Sequence, residues 1–156
     1  MPEPEQYHVI ARECHAPAAT ETLAAEFAAH LTPGSWIGLI GPLGAGKSVF
    51  ARAVGRAWGV EGPMPSPTFT LMAAHNGRCP IYHIDLYRVA SEDEFAFAGL
   101  APYFSGDGIC LVEWADRLRT VWPPDGWTVT IDILGATTRR VAIAPFSPTS
   151  SPGRSR

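Results

Sequence analysis

The chain is short of lysine: of its 156 residues only Lys47 is one, against eleven arginines. With a net charge of −3, no broad cationic face announces a nucleic-acid binder. DNA is therefore not an expected partner, and contact with tRNA is expected to be indirect or local. The guanine-reading pattern N-K-x-D is impossible, because the one lysine lies in Gly46-Lys47-Ser48. Cysteine is sparse too. Cys14, Cys79 and Cys110 are odd in number and widely spaced, which excludes a disulfide framework and a cysteine zinc site. No basic segment followed by an apolar run opens the chain, and no run approaches the ~20 apolar residues of a membrane span. A cytoplasmic protein with no membrane partner is expected.

What is present is concentrated around that lysine. Gly41-Pro42-Leu43-Gly44-Ala45-Gly46-Lys47-Ser48 satisfies the phosphate-cradling pattern G-x-x-x-x-G-K-[ST] at every required position. The apolar run Trp36-Ile37-Gly38-Leu39-Ile40 leads in as a strand, and residues 48–54 lead out as a helix. Glycines at 41, 44 and 46 are expected to take positive φ and bring backbone N–H groups to phosphate oxygens. The helix start turns its free N–H groups and positive dipole end to the same anion. The nucleotide-contacting set read here is Gly41, Gly44, Ala45, Gly46, Lys47, Ser48 and Val49. Lys47 reaches the β- and γ-phosphates of a nucleoside triphosphate, and the Ser48 hydroxyl holds Mg²⁺.

The remaining pattern is α/β. Residues 7–11 read as a short strand, and 20–31 as a helix with Leu23, Phe27 and Leu31 on one face and Thr20 as its cap. Residues 59–67 form a Gly/Pro-rich loop. Strands are expected at 68–74 and 80–86, about the hairpin signal His75-Asn76-Gly77-Arg78. Ser91-Glu92-Asp93-Glu94 is a capping box opening a helix to Phe97. Residues 109–112 read as a buried strand, 115–119 as a brief helix, and 127–133 with 139–144 as a second hairpin. With 46% apolar residues the chain can fill one core. The expected fold is a single P-loop NTPase domain over 1–144, with a mixed, mostly parallel sheet flanked by helices. Residues 145–156, rich in Pro and Ser, are expected to lie outside it as a disordered tail.

Phosphate chemistry on such a loop needs a second acid at a neighbouring strand end. Ile109-Cys110-Leu111-Val112-Glu113 and Ile81-Tyr82-His83-Ile84-Asp85 both end a strand in one. Either can serve the metal shell, and the other the attacking water. Ser66-Pro67-Thr68-Phe69-Thr70 is placed where nucleotide-sensing loops occur, although an ordinary loop has the same composition. His83 shares a face with Asp85 but has no third ligand, so it reads as structural or substrate-adjacent. The tryptophans read as packing residues. No arginine finger is obvious, and Arg88 is the nearest candidate.

In series, residues 41–48, Ser66-Pro67-Thr68-Phe69, His83-Ile84-Asp85-Leu86-Tyr87-Arg88 and Leu111-Val112-Glu113-Trp114 resemble the bacterial TsaE (YjeE) family. These are small P-loop ATPases of tRNA threonylcarbamoyladenosine synthesis, and the resemblance spans about residues 20–144. It implies ATP or ADP with Mg²⁺ as ligands, and TsaB and TsaD as partners. It implies Lys47, Asp85 and Glu113 as the catalytic set, Ser48 and Glu113 as metal-holding residues, and residues 66–69 as a switch that brings Thr68 to the nucleotide. Thr20 aligns with a position near the base. Hydrolysis is expected to be slow alone and stimulated by the partners. Pro42 departs from the family's G-D-L-G-A-G-K and removes a backbone N–H and a carboxylate. Two rival readings are a small-molecule kinase, with Arg117 and Arg119 as lid residues, and an ATP-dependent adaptor without turnover.

Overall fold

In the computed structural model, which describes residues 10–118, 122–124 and 126–146, seven strands form one sheet. They are β1 (Ile10–Cys14), β2 (Trp36–Ile40), β3 (Met72–Asn76), β4 (Pro80–Asp85), β5 (Ile109–Glu113), β6 (Trp127–Ile133) and β7 (Arg139–Pro145). The order across the sheet is β1-β7-β6-β2-β5-β4-β3. The four central strands β6-β2-β5-β4 run parallel. β3 joins β4, β7 joins β6 and β1 joins β7, all antiparallel. The sheet is mixed as expected: its centre is parallel, and hairpins extend both edges.

Alternation along the strands decides the layering. Ile37, Leu39, Ile81, Ile109, Leu111, Val129 and Ile131 pack with Leu23 and Phe27 of α1 (Pro17–Ala28) and with Phe50 and Val54 of α2 (Lys47–Ala57). Their neighbours Trp36, Ile84, Cys110 and Val112 face the other way. They pack against Phe95 of α3 (Glu92–Phe97), Phe104 of the 3-10 turn Ala101–Phe104, and Ala115 of the turn Ala115–Arg117. Both faces are covered, so β2 and β5 read as unbroken apolar runs. Each large side chain so buried stabilises the fold by about 1.5–3 kcal/mol.

Several boundaries differ from expectation for local reasons. α1 starts at Pro17, whose fixed φ suits the first helical position, so Thr20 lies inside the helix and does not cap it. The cap position is Ala16, which offers no side-chain bond. β3 starts at Met72, because residues 68–70 turn and Leu71 takes φ 65°, a left-handed conformation that ends extended pairing. Asn76, expected in the hairpin turn, instead pairs with Pro80. β1, Ile10–Cys14, runs past the expected end at residue 11; residues 7–9 fall outside the described residues. β7 runs to Pro145, one residue past the expected end at 144, and Pro145 pairs in register with Trp127 of β6. The tail expected from there falls, for residues 147–156, outside the described residues, as does Arg119. The Ser91 half of the capping box forms, with Ser91 Oγ accepting from Glu94 N at 3.2 Å, while Glu94 Oε2 reaches one residue further back and accepts from Ala90 N at 2.9 Å. No helix among the described residues is long and apolar enough to cross a membrane.

Candidate functional site

The carboxyl ends of three adjacent parallel strands build the site, the place where open α/β sheets form ligand crevices. Glu113 pairs in register with Leu39 of β2 on one side and with Asp85 of β4 on the other. Side-chain parity sets their face. His83 and Asp85 follow Ile81, and Glu113 follows Ile109 and Leu111, all on the side covered by α2. The glycine loop leaves β2 on that side and turns into α2.

Two of the three loop glycines take the expected conformation. Gly44 has φ 79°, and Gly46, at the N-cap of α2, has φ 106°. Gly41 is different: its φ is not positive, and glycine is needed because a Cβ would stand 2.6 Å from the Ile131 carbonyl oxygen. The loop is closed by Ala45 N donating to Pro42 O at 3.1 Å. Pro42 thus contributes its carbonyl, which also accepts from Lys47 Nζ at 2.9 Å. Lys47 Nζ donates to Gly41 O as well, and stands 3.8 Å above the centre of the Trp114 ring. Burial pulls the Lys47 ammonium below its usual value, against the opposing charges of Glu113, Asp116 and Asp85.

Glu113 is the hub of the acidic side. Ser48 Oγ donates to Oε1 at 2.7 Å, and His83 Nε2 lies 2.6 Å from Oε2. Burial works to raise this carboxyl. The hydrogen bond and charge of His83, the Ser48 bond and the Lys47 charge outweigh it, and the group is held below the usual carboxylate range. Asp85 Oδ1 accepts from Tyr87 N at 2.9 Å, while Oδ2 faces Ser66 Oγ and Thr68 Oγ1, each at 3.4 Å. Ser66 Oγ also reaches Glu113 Oε2 at 3.5 Å. These long contacts hold the 66–70 loop over both acids.

A cavity of about 510 Å³ opens here, lined by residues 43–49, Ser66, Thr68, Asp85, Tyr87, Glu113 and Trp114. It gathers Gly44, Ala45, Gly46, Lys47, Ser48, Val49, Thr68, Asp85 and Glu113, all read from the sequence. Gly41 underlies the loop rather than lining the cavity. Thr20 is buried in α1 and stands outside the lining. Arg88 stacks on the exposed Phe69 ring at 4.4 Å, also outside it. Arg117 lies over Tyr87 at 5.1 Å and Trp114 at 5.6 Å. Trp36 and Trp122 stack in the core as packing residues, with ring centres 5.1 Å apart. Trp114 departs from that reading: its φ of 59° turns the ring under Lys47. Arg139 was also missed, and its fork grips the glycine loop from behind. Trp114 closes the motif of residues 111–114, but nothing local in the sequence signals its place under Lys47 or that of Arg139 behind the loop.

Ser48 and Glu113 present only oxygen donors, with Asp85 alongside. Among the described residues no group of three or more His, Cys, Asp or Glu could cage a metal. One hydroxyl and one or two carboxylates suit Mg²⁺, which keeps several waters and phosphate oxygens as ligands.

The sequence model of the family described as "Threonylcarbamoyl adenosine biosynthesis protein TsaE" matches residues 14–141. A protein of Treponema pallidum named tRNA threonylcarbamoyladenosine biosynthesis protein TsaE is 35% identical over 114 residues, covering 73% of this chain and 84% of that one. One of the same name from Bacillus subtilis is 38% identical over 126 residues, covering 80% and 78%. Among solved structures, the crystal structure of Bacillus subtilis YdiB superimposes with a TM-score of 0.76 at 30% identity, over 90% of this chain and 87% of that one.

Proposed function

Because the chain belongs to the TsaE family, we propose that it is the ATP-binding and ATP-hydrolysing component of tRNA threonylcarbamoyladenosine biosynthesis, acting in the cytoplasm with TsaB and TsaD. The observation that carries this reading is the 2.7 Å bond from Ser48 to Glu113 beside Lys47, with Asp85 on the next strand, in one cavity. A Walker-type hydroxyl and a strand-end carboxylate meet where the triphosphate of a nucleotide on this loop would lie.

The roles follow from the side chains. Backbone N–H groups of Gly44 and residues 46–48 cradle the phosphates, and Lys47 neutralises the β- and γ-oxygens. Ser48 and Glu113 would hold Mg²⁺, which when bound supplies further charge neutralisation. Asp85, with one oxygen tied to Tyr87 N, keeps the other for orienting the attacking water. That water adds to the γ-phosphorus as the bond to the bridging oxygen breaks, giving ADP and phosphate. The 66–70 loop touches both acids only through contacts of 3.4–3.5 Å, which suits a segment that reorders around a γ-phosphate. No arginine lines the cavity among the described residues, in keeping with slow turnover until partner proteins complete the site.

The test is phosphate release from ATP by the purified chain, alone and with the TsaB–TsaD pair. Marked stimulation by the pair is expected, and Lys47→Ala should abolish it. ATP binding without turnover even with both partners would leave an adaptor. Phosphate passed to a small acceptor would make the protein a kinase.

A further inference from the structure

The glycine loop has a brace that neither its motif nor its helix supplies. Arg139, the first residue of β7, donates from Nε to Ala45 O at 3.1 Å and from Nη2 to Gly44 O at 3.2 Å. Its Nη1 donates to Gly135 O at 2.8 Å and Thr138 O at 3.0 Å, within its own hairpin. All four acceptors are backbone carbonyls. Among the described residues no carboxylate pairs with this guanidinium. Its neighbour Arg140 reaches Glu13 at 3.8 Å on the exposed surface instead.

The loop needs such a brace. A Cβ built on Gly44 or Gly46 would meet nothing within 4 Å, so packing does little to restrain these two residues. Both sit at positive φ, which glycine reaches freely and leaves as freely. Peptide planarity converts a grip on carbonyls into control of N–H groups. In a trans peptide the carbonyl and the next N–H point in opposite directions. Fixing Ala45 O against Arg139 aims the Gly46 N–H away from it, and Gly46 lines the cavity. Fixing Gly44 O sets the Ala45 N–H, which closes the loop on Pro42 O. A cation on the carbonyl side also polarises both amides and strengthens them as donors.

We infer that Arg139 is a positioning residue for the nucleotide: it aims the Gly46 N–H at phosphate, holds the turn that the Ala45 N–H closes on Pro42 O, and adds a positive charge behind both. The inference rests on the loop's being the ATP site. Lysine cannot replace it, because one ammonium cannot span four carbonyls in the plane of a fork. ATP and ADP should both depend on it, since both place phosphates on the loop.

Calorimetric titration of Mg·ATP and Mg·ADP into wild type, Arg139→Ala, Arg139→Lys and Arg140→Ala tests this, at a temperature well below each variant's melting transition. Both Arg139 variants should bind either nucleotide about tenfold or more weakly, the scale of losing charge-assisted hydrogen bonds. Arg140→Ala should bind as wild type does. Added guanidinium chloride, at concentrations too low to unfold the protein, should restore part of the affinity of Arg139→Ala. Sodium chloride at the same concentration should restore none of it. Wild-type affinity in Arg139→Ala, or a loss that guanidinium does not recover, would overturn the inference. If Arg139→Ala does not fold, Arg139→Lys decides, and wild-type affinity there is the overturning result. A wild-type protein that binds neither nucleotide would overturn the ATP reading itself.

Discussion

His83 Nε2 stands 2.6 Å from Oε2 of Glu113, and both side chains are buried. With Ser48 on Oε1, both oxygens of this carboxylate are fixed, one by the helix that carries the loop and one by the neighbouring strand. The histidine stands behind the acid that we assign to the metal, the usual place of a group that orients a ligand.

Replacing His83 by Ala should therefore lower ATP turnover by about 10- to 100-fold, the common cost of losing a partner behind a metal ligand. ATP affinity should change far less, since no phosphate-cradling amide is touched. Steady-state phosphate release set against calorimetric affinity separates the two. Equal losses in both would mean that His83 serves only the fold.

Gly41→Ala should be more harmful than the loop's exposure suggests. The new Cβ would press on the Ile131 carbonyl oxygen, 2.6 Å away in β6, and backbone on both sides resists moving. A stability loss of about 1–3 kcal/mol is expected from such overpacking, with ATP binding weakened as the loop shifts. Chemical denaturation and an ATP titration on one preparation check both parts. Unchanged ATP binding would show that the loop absorbs the shift without moving its amides.

Trp36 offers a control away from the site. It is 2% exposed, stacks on Trp122, and donates its indole N–H to Pro123 O at 3.1 Å. Trp36→Ala should cost about 3–5 kcal/mol of stability while leaving turnover intact at low temperature. Turnover that fell while the protein was still folded would tie this cluster to the site.

Burial alone pushes the Cys110 thiol far above its ordinary value of 9.0. The folded state thus keeps this proton where the unfolded chain gives it up. The resulting stability is fully present below about pH 9 and is lost as the pH rises further. Between pH 8 and about pH 10.5, denaturation free energy should fall more steeply for wild type than for Cys110→Ala. Parallel slopes would show that the folded thiol ionises as readily as the unfolded one.

The loop and the two acids were legible because their chemistry demands particular residue types at strand ends, and alternation is read directly from sequence. Segment 68–70 was misread as strand because Thr-Phe-Thr favours extended backbone locally. Its hydroxyls are instead drawn toward Asp85, a residue on another element. The start of α1 was hidden because Pro17 sets the first turn without a side-chain cap, and Thr20 imitates one. Trp114 follows a strand-end acid, and nothing local announces its left-handed turn. Arg139 meets Gly44 and Ala45 only because β6 lies beside β2 and carries its hairpin partner to the loop. That adjacency is a property of the sheet order, which no local pattern encodes.

The sheet order also makes the site a clock. Its parts come from residues 41–48, 66–68, 83–87, 113–114 and 139, and they meet only after β2 has gained parallel neighbours on both sides. Parallel partners arrive through long crossovers, the slow, non-local closures of folding. During refolding, then, helical signal and collapse should return first, and the capacity to hold a nucleotide last. Its recovery would time the completion of the whole sheet.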